Sequence, residues 1–170
     1  MKAMVGVSAP TAALGAAVGA VLLAAAPAMA LEVREQATIK APIEQVWKQI
    51  GPFCAIGDWH PAVESCNLRK TGKSQERDLA LKGGGAIQER LTGLSAAKHR
   101  LRYTLLSGPL PVKNYNSTIR LSAVDAHTTR ITWSSKFEAK GASDAEARKA
   151  IAGIYTSGFD GLRKRLESGQ

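Results

Sequence analysis

The sequence predicts an α+β domain in which a seven-stranded antiparallel sheet curves around one long C-terminal helix, with two short helices after the first strand. Three observations carry this. An alternating segment at residues 31–40 switches to helical spacing at Pro42, six alternating segments fill residues 64–139, and Ser143 opens an amphipathic stretch with a capping box. Alternation of apolar and polar residues marks one face of a strand, whereas apolar residues three or four apart mark one face of a helix. A bent sheet crossed by one helix encloses space, so this order predicts a container for an apolar molecule.

Residues 1–30 stand apart. Lys2, an apolar stretch from Ala12 to Ala26, and then Ala28-Met29-Ala30 have the form of a secretory signal cleaved after Ala30. The densest apolar part spans 15 residues, includes Gly15 and Gly19, and falls short of the roughly 20 needed to cross a bilayer. The expected product is periplasmic or secreted. Its 140 residues, Leu31 to Gln170, suit one domain, and its net charge of +8 favours an anionic partner such as an acidic periplasmic protein or an anionic membrane surface. The basic residues lie at Arg69-Lys70, Lys98 to Arg102 and Arg163 to Arg165 without interleaved aromatics, which argues against nucleic-acid binding. Cys54 and Cys66 allow two readings. In an oxidising compartment they form a disulfide, whose loop closure is worth about 3 kcal/mol; otherwise they pack as two buried thiols.

In chain order, Leu31, Val33, Ala37 and Ile39 alternate with Glu32, Arg34, Thr38 and Lys40 as the first strand. Pro42 has its φ pre-set for a helix start, Val46 and Ile50 lie one turn apart, and Gly51-Pro52 ends that helix. A second short helix is expected over Phe53 to Gly57. Six strands follow: Glu64 to Lys70, Gln75 to Lys82, Ala86 to Leu94, Lys98 to Ser107, Val112 to Ala123, and Thr129 to Ala139. Their breaks are rich in Gly, Pro, Ser and Asp. Ser143 and Glu146 form the capping box, and Ala147, Ile151, Ile154, Gly158, Leu162 and Leu166 make one apolar stripe.

Paired strands must bury the same face. With a three-residue loop at Gly83-Gly84-Gly85, Leu81 falls opposite Ile87, Leu79 opposite Glu89, and Arg77 opposite Leu91, leaving Arg77 and Glu89 as diagonal neighbours. In the last hairpin, Ile119 and Leu121 share a face with Trp133 and Ser135 only if the connection near His127 has odd length.

The segments Ala41-Pro42-Ile43-Glu44-Gln45-Val46-Trp47, Trp59-His60-Pro61 and Gly108-Pro109-Leu110-Pro111-Val112, set in this element order, resemble the helix-grip fold of the START-like or SRPBCC superfamily, in particular its polyketide cyclase/dehydrase and lipid transport branch. The resemblance covers nearly all of residues 31–170. It implies an apolar cavity between sheet and terminal helix with hairpin loops as a gate, here Gly83, Gly84 and Gly85 on one side and Pro109, Leu110 and Pro111 on the other. The general plan is also similar to that of exported, basic accessory proteins of periplasmic methanol oxidation, which implies docking to a partner such as a dehydrogenase.

Following the buried parity inward, the expected ligand-binding residues are Trp59, Arg77, Leu79, Leu81, Ile87, Glu89, Leu91, Tyr103, Tyr115, Ser117, Trp133 and Ser135, with Ile151, Ile154 and Tyr155 from the terminal helix. A mostly apolar pocket with a few placed polar groups is the usual form of a small-molecule site. The leading expectation is an exported, non-enzymatic carrier of a small hydrophobic or amphipathic molecule, without cofactor or metal, monomeric or weakly dimeric. The alternatives are a cyclase, dehydratase or hydrolase using His60, Glu89 or Tyr103 as acid or base, and an accessory protein that docks a partner. His60, His99 and His127 lack metal-ligand spacing, and no nucleophile elbow, phosphate loop or dinucleotide fingerprint occurs.

Overall fold

The computed structural model describes residues 30–168, so the expected secretory segment, Ala30 apart, lies outside the described residues. The chain forms β1 (Leu31–Ile39), α1 (Ile43–Ile50), α2 (Ile56–Trp59), β2 (Val63–Thr71), β3 (Ser74–Leu81), β4 (Ala86–Ser95), β5 (Arg100–Ser107), β6 (Val112–Asp125), β7 (Thr128–Ala139) and α3 (Asp144–Glu167). The seven strands make one antiparallel sheet in the order β1-β7-β6-β5-β4-β3-β2. From β2 to β7 consecutive strands pair as hairpins, and β1 lies beside β7 at the edge opposite β2. This is the helix-grip architecture.

Each element follows from its sequence. In β1, Leu31, Val33, Ala37 and Ile39 are buried and Glu32, Arg34, Gln36 and Thr38 exposed, while Glu35, on the inward parity opposite Trp133, is half-buried and interrupts the apolar face. Pro42 caps α1, whose buried residues are Val46 and Ile50. The second helix begins at Ile56 rather than at Phe53, because Phe53 to Ala55 form a turn in which the Ala55 N–H reaches back three residues to Pro52 O. That turn aims Phe53 into the core. Similarly, β5 begins at Arg100 rather than Lys98, because His99 closes the preceding turn with φ of 41°. Its ring packs edge-on against Trp47 and lies 2.8 Å from Glu44 Oε1.

The capping box at α3 is complete: Glu146 N–H donates to Ser143 Oγ, while Ser143 N–H donates to Glu146 Oε2. The inward line of α3 is Ala147, Ile151, Tyr155, Gly158, Phe159 and Leu162, whereas Ile154 and Leu166 lie half-buried at its margin. A steady advance of four residues, from 147 through 159, describes this face better than the expected stripe.

Two registers refine the expected ones. In the β3–β4 hairpin, Arg77 pairs directly with Glu89 and Leu79 with Ile87. Gly83, Gly84 and Gly85 all have positive φ, which bends the turn widely and ends strand pairing at Ala80 and Ala86. The register differs by two, so the buried face is kept while the charged pair becomes a direct cross-strand neighbour. In the β6–β7 hairpin, the turn between Asp125 and Thr128 has even length, and a bulge between Ala123 and Asp125 restores parity. Ile119 thereby pairs with Trp133 and Leu121 with Ile131.

Cys54 and Cys66 are joined in a disulfide with Cα atoms 5.5 Å apart, which resolves the two readings. It ties the turn before α2 to β2.

Candidate functional site

The interior between the sheet and α3 is built from large aromatic side chains. The Trp133 ring from β7 stacks on Tyr155 from α3 with centroids 4.4 Å apart, and Trp59 and Phe159 pack around it. Tyr103, Tyr115 and Phe137 continue the layer along the sheet. The open volume expected here is thus occupied by side chains that strand parity placed on the correct face but whose reach across the interior it could not give. Among the recesses of about 330 to 390 Å³, one is bounded by Tyr103, Ser117 and Ser135 together with outer-face residues such as Glu32, Arg102 and Lys136, and the others are lined by outer-face and rim residues.

Inside this layer lies a connected set of polar groups. Trp133 Nε1–H is shared between Tyr103 OH and Ser117 Oγ, each at 3.0 Å, and Ser117 Oγ donates in turn to Ser134 O. Tyr115 OH and Tyr155 OH are 2.6 Å apart. Burial pushes all three phenols up from the ordinary tyrosine value, so they are neutral hydrogen-bonding groups here. Ser135 Oγ and Trp59 Nε1 are buried without a hydrogen-bond partner.

Arg77 and Glu89 form the charged part of the cluster. Arg77 Nε donates to Glu89 Oε2 at 2.6 Å, Nη1 donates to Phe53 O, and Nη2 lies close to the same carboxylate oxygen without hydrogen-bond alignment. The guanidinium also sits over the Phe53 ring at 4.2 Å and the Tyr103 ring at 5.0 Å. Side-chain exposure is 2% for Arg77 and 8% for Glu89. Burial pushes the Glu89 carboxyl up, with the Arg77 charge opposing it. Two ions taken out of water at this depth hold each other only because the geometry is close.

His60 is fixed as a structural residue. Nε2 lies 3.1 Å from Ile154 O, and Nδ1 accepts from Ala62 N–H at 3.2 Å, which defines the neutral tautomer with its proton on Nε2. Burial lowers its pKa. With both nitrogens engaged by backbone, the ring has no free position for proton transfer. The helix approaches closely here because Gly158 and Gly161 carry no side chain. A Cβ at Gly158 would lie 2.9 Å from both His60 and Trp133, and one at Gly161 would lie 2.0 Å from Trp59 O.

Of the expected lining, Trp59, Arg77, Leu79, Ile87, Glu89, Tyr103, Tyr115, Ser117, Trp133, Ser135, Ile151 and Tyr155 are all buried together. Leu81, Leu91 and Ile154 pack half-buried at the margin. The two glycine- and proline-rich loops are neighbours, since a Cβ at Gly85 would meet Pro109 Cγ at 3.9 Å. Sequence reasoning missed Phe53, which supplies both a carbonyl and a ring to Arg77, and Phe159, which backs Trp133. The four-residue step from Tyr155 could have indicated Phe159; nothing local indicated Phe53.

The family model described as polyketide cyclase / dehydrase and lipid transport matches residues 30–167. The chain belongs to that family. Among solved structures it is similar to the protein XoxI from Bacillus cereus, at 32% identity and a TM-score of 0.75, over 82% of this chain and 98% of that one. The aromatase/cyclase Zhui from Streptomyces sp. R1128 has 19% identity and a TM-score of 0.68, over 82% and 94% of the two chains. A START superfamily protein from Mycobacterium smegmatis has 14% identity and a TM-score of 0.69, over 82% and 99%. These last two share the fold. A comparison with curated proteins finds no match.

Proposed function

We propose that this protein is an exported, non-catalytic binding member of its family that admits a small amphipathic molecule into the sheet–helix interior. The observation that carries this reading is the Arg77–Glu89 pair beside the Tyr103–Ser117–Trp133 hydroxyl cluster, set among aromatic and aliphatic side chains. A buried ion pair contributes little net stability, and apolar residues of equal volume commonly serve a fold as well or better. Polar groups placed singly in an apolar interior are how a pocket orients a guest. Ser135 Oγ has no hydrogen-bond partner in the protein, and Arg77 Nη2 has none beyond its ion-pair contact with Glu89.

Access is by displacement rather than through a standing cavity. Leu81, Leu105, Leu110 and Ile154 are half-buried against the core, Leu81 next to the loop at residues 82–85 and Leu110 within the loop at residues 108–112. The glycine loop can move, and the apolar side chains beneath it give way to a guest of similar character at about 25 cal/mol for each Å² removed from water. Catalysis has less support: His60 is held on both nitrogens, Glu89 is held by Arg77, and the phenols are neutral, so no group is placed to exchange a proton with a substrate. Export is supported by the signal-like segment and by the Cys54–Cys66 bond, since disulfides persist in oxidising compartments.

The test is a titration with 1-anilinonaphthalene-8-sulfonate, an amphipathic aromatic anion. Saturable one-to-one binding with quenching of tryptophan emission is expected in the wild type, and its loss in Arg77→Met/Glu89→Leu. Absence of saturable binding to the wild type, or unchanged binding to that variant, would overturn the reading.

A further inference from the structure

The outer face of the sheet, opposite the interior, concentrates arginine, with Glu32 beside Lys136 in the adjoining row and, among the described residues, no ion pair between Glu32 and these arginines. Cross-strand pairing sets Arg34, Ser134, Thr118 and Arg102 in one row and Gln36, Thr132, Arg120 and Arg100 in the next, while Arg130 stands between Thr38 and Ser122 in a third. Arg34, Arg100, Arg102 and Arg120, with the hydroxyls of Thr118 and Thr132, surround a recess of about 330 Å³. No carboxylate lines it.

Elsewhere on the sheet the arginines are neutralised. Arg69 is paired with Asp78 and Glu76, and Arg90 with Glu76. Among the described residues, Arg34, Arg100, Arg102, Arg120 and Arg130 form no ion pair with an acidic side chain. Arg100 and Arg120 are direct cross-strand neighbours, an arrangement of like charges that destabilises a sheet by itself. A fold that keeps this repulsion on an exposed, rigid face gains nothing from it internally; a bound anion reverses its sign.

We propose that this face docks an acidic protein surface, with the Arg34–Arg100–Arg102–Arg120 recess as its centre. Guanidinium forks held at strand spacing match carboxylates in paired hydrogen bonds, and interleaved threonine and serine hydroxyls add donors. The three rows carry no aliphatic or aromatic side chain, so nothing inserts below the headgroups of a bilayer or stacks on a nucleobase. The inference is independent of the interior and holds whether or not a guest binds there.

The test measures binding of fluorescein-labelled poly-L-glutamate by anisotropy to the full chain and to two variants of equal net charge. Arg100→Gln/Arg120→Gln removes the central pair; Lys70→Gln/Lys73→Gln removes two charges from the exposed β2–β3 hairpin. The proposal expects the arginine variant to weaken binding by about tenfold or more, the lysine variant by less than about twofold, and the thermal midpoint of the arginine variant to stay equal or rise as the repulsion is removed. Equal weakening by both variants would show a response to net charge alone and overturn the assignment. So would tighter binding, lost in the arginine variant, to vesicles containing phosphatidylserine or to duplex DNA than to poly-L-glutamate.

Discussion

Replacing Glu89 with Gln tests the interior most sharply. The amide keeps the side-chain volume and still accepts from Arg77 Nε, so no cavity opens, but the Arg77 charge is left buried with only Phe53 O and two aromatic faces beside it. Removing one member of a buried pair costs about 3–5 kcal/mol, and the retained hydrogen bond places Glu89→Gln near the low end, about 3 kcal/mol. At about 3–5 °C for each kcal/mol in a domain of this size, the thermal midpoint falls by roughly 10 °C. Urea unfolding followed by tryptophan emission reads the same loss as a lower midpoint at constant slope. The double variant Arg77→Met/Glu89→Leu recovers most of it, because both charges leave together. A cost below about 1 kcal/mol for Glu89→Gln would mean that water screens the pair, and the account of the interior would fail with it.

Four further outcomes are expected. Gly161→Ala destabilises by more than about 2 kcal/mol despite the better helix propensity of alanine, because its Cβ would meet Trp59 O at 2.0 Å, whereas Gly153→Ala, with open space around it, stabilises by up to about 1 kcal/mol; calorimetry of both checks the sign of each. Because burial lowers the His60 pKa, the unfolded chain binds the extra proton first, so this residue makes stability fall as pH drops below about 6.5, by at most about 1.4 kcal/mol per pH unit. A His60→Gln variant should lack that part of the slope in denaturation curves between pH 5 and 7. Reducing Cys54–Cys66 lowers stability by about 3 kcal/mol, read as a shifted midpoint in the presence of dithiothreitol. Ser143→Ala removes the cap of α3 and costs about 1 kcal/mol in urea unfolding.

The periodicities of the sequence carried the fold well. Every strand and the long helix could be placed from alternation, from Pro42 and from the Ser143 box, because those signals are local. What local signals could not supply was distance across the interior. Strand parity put Trp133 inward and helical spacing put Tyr155 inward, yet neither says that the two rings meet at 4.4 Å. The same limit explains Arg77 and Glu89, which appeared as diagonal neighbours until the wide glycine turn moved them into direct register. Phe53 was read as the start of a helix, while its part in the site depends on a turn that brings its carbonyl to a residue 24 positions away. The outer arginine face was hidden differently: its residues are scattered along four strands, and only pairing gathers them.

Whether the closed interior, with Ser135 Oγ and Trp59 Nε1 left without partners, accepts a guest is the point on which the proposed function turns. Native mass spectrometry of the protein isolated from its own host addresses it directly. A retained small-molecule mass is expected on the wild type and should be absent from Arg77→Met/Glu89→Leu prepared in the same way. Bare polypeptide mass for both proteins, alongside failure of the anilinonaphthalene titration, would contradict it.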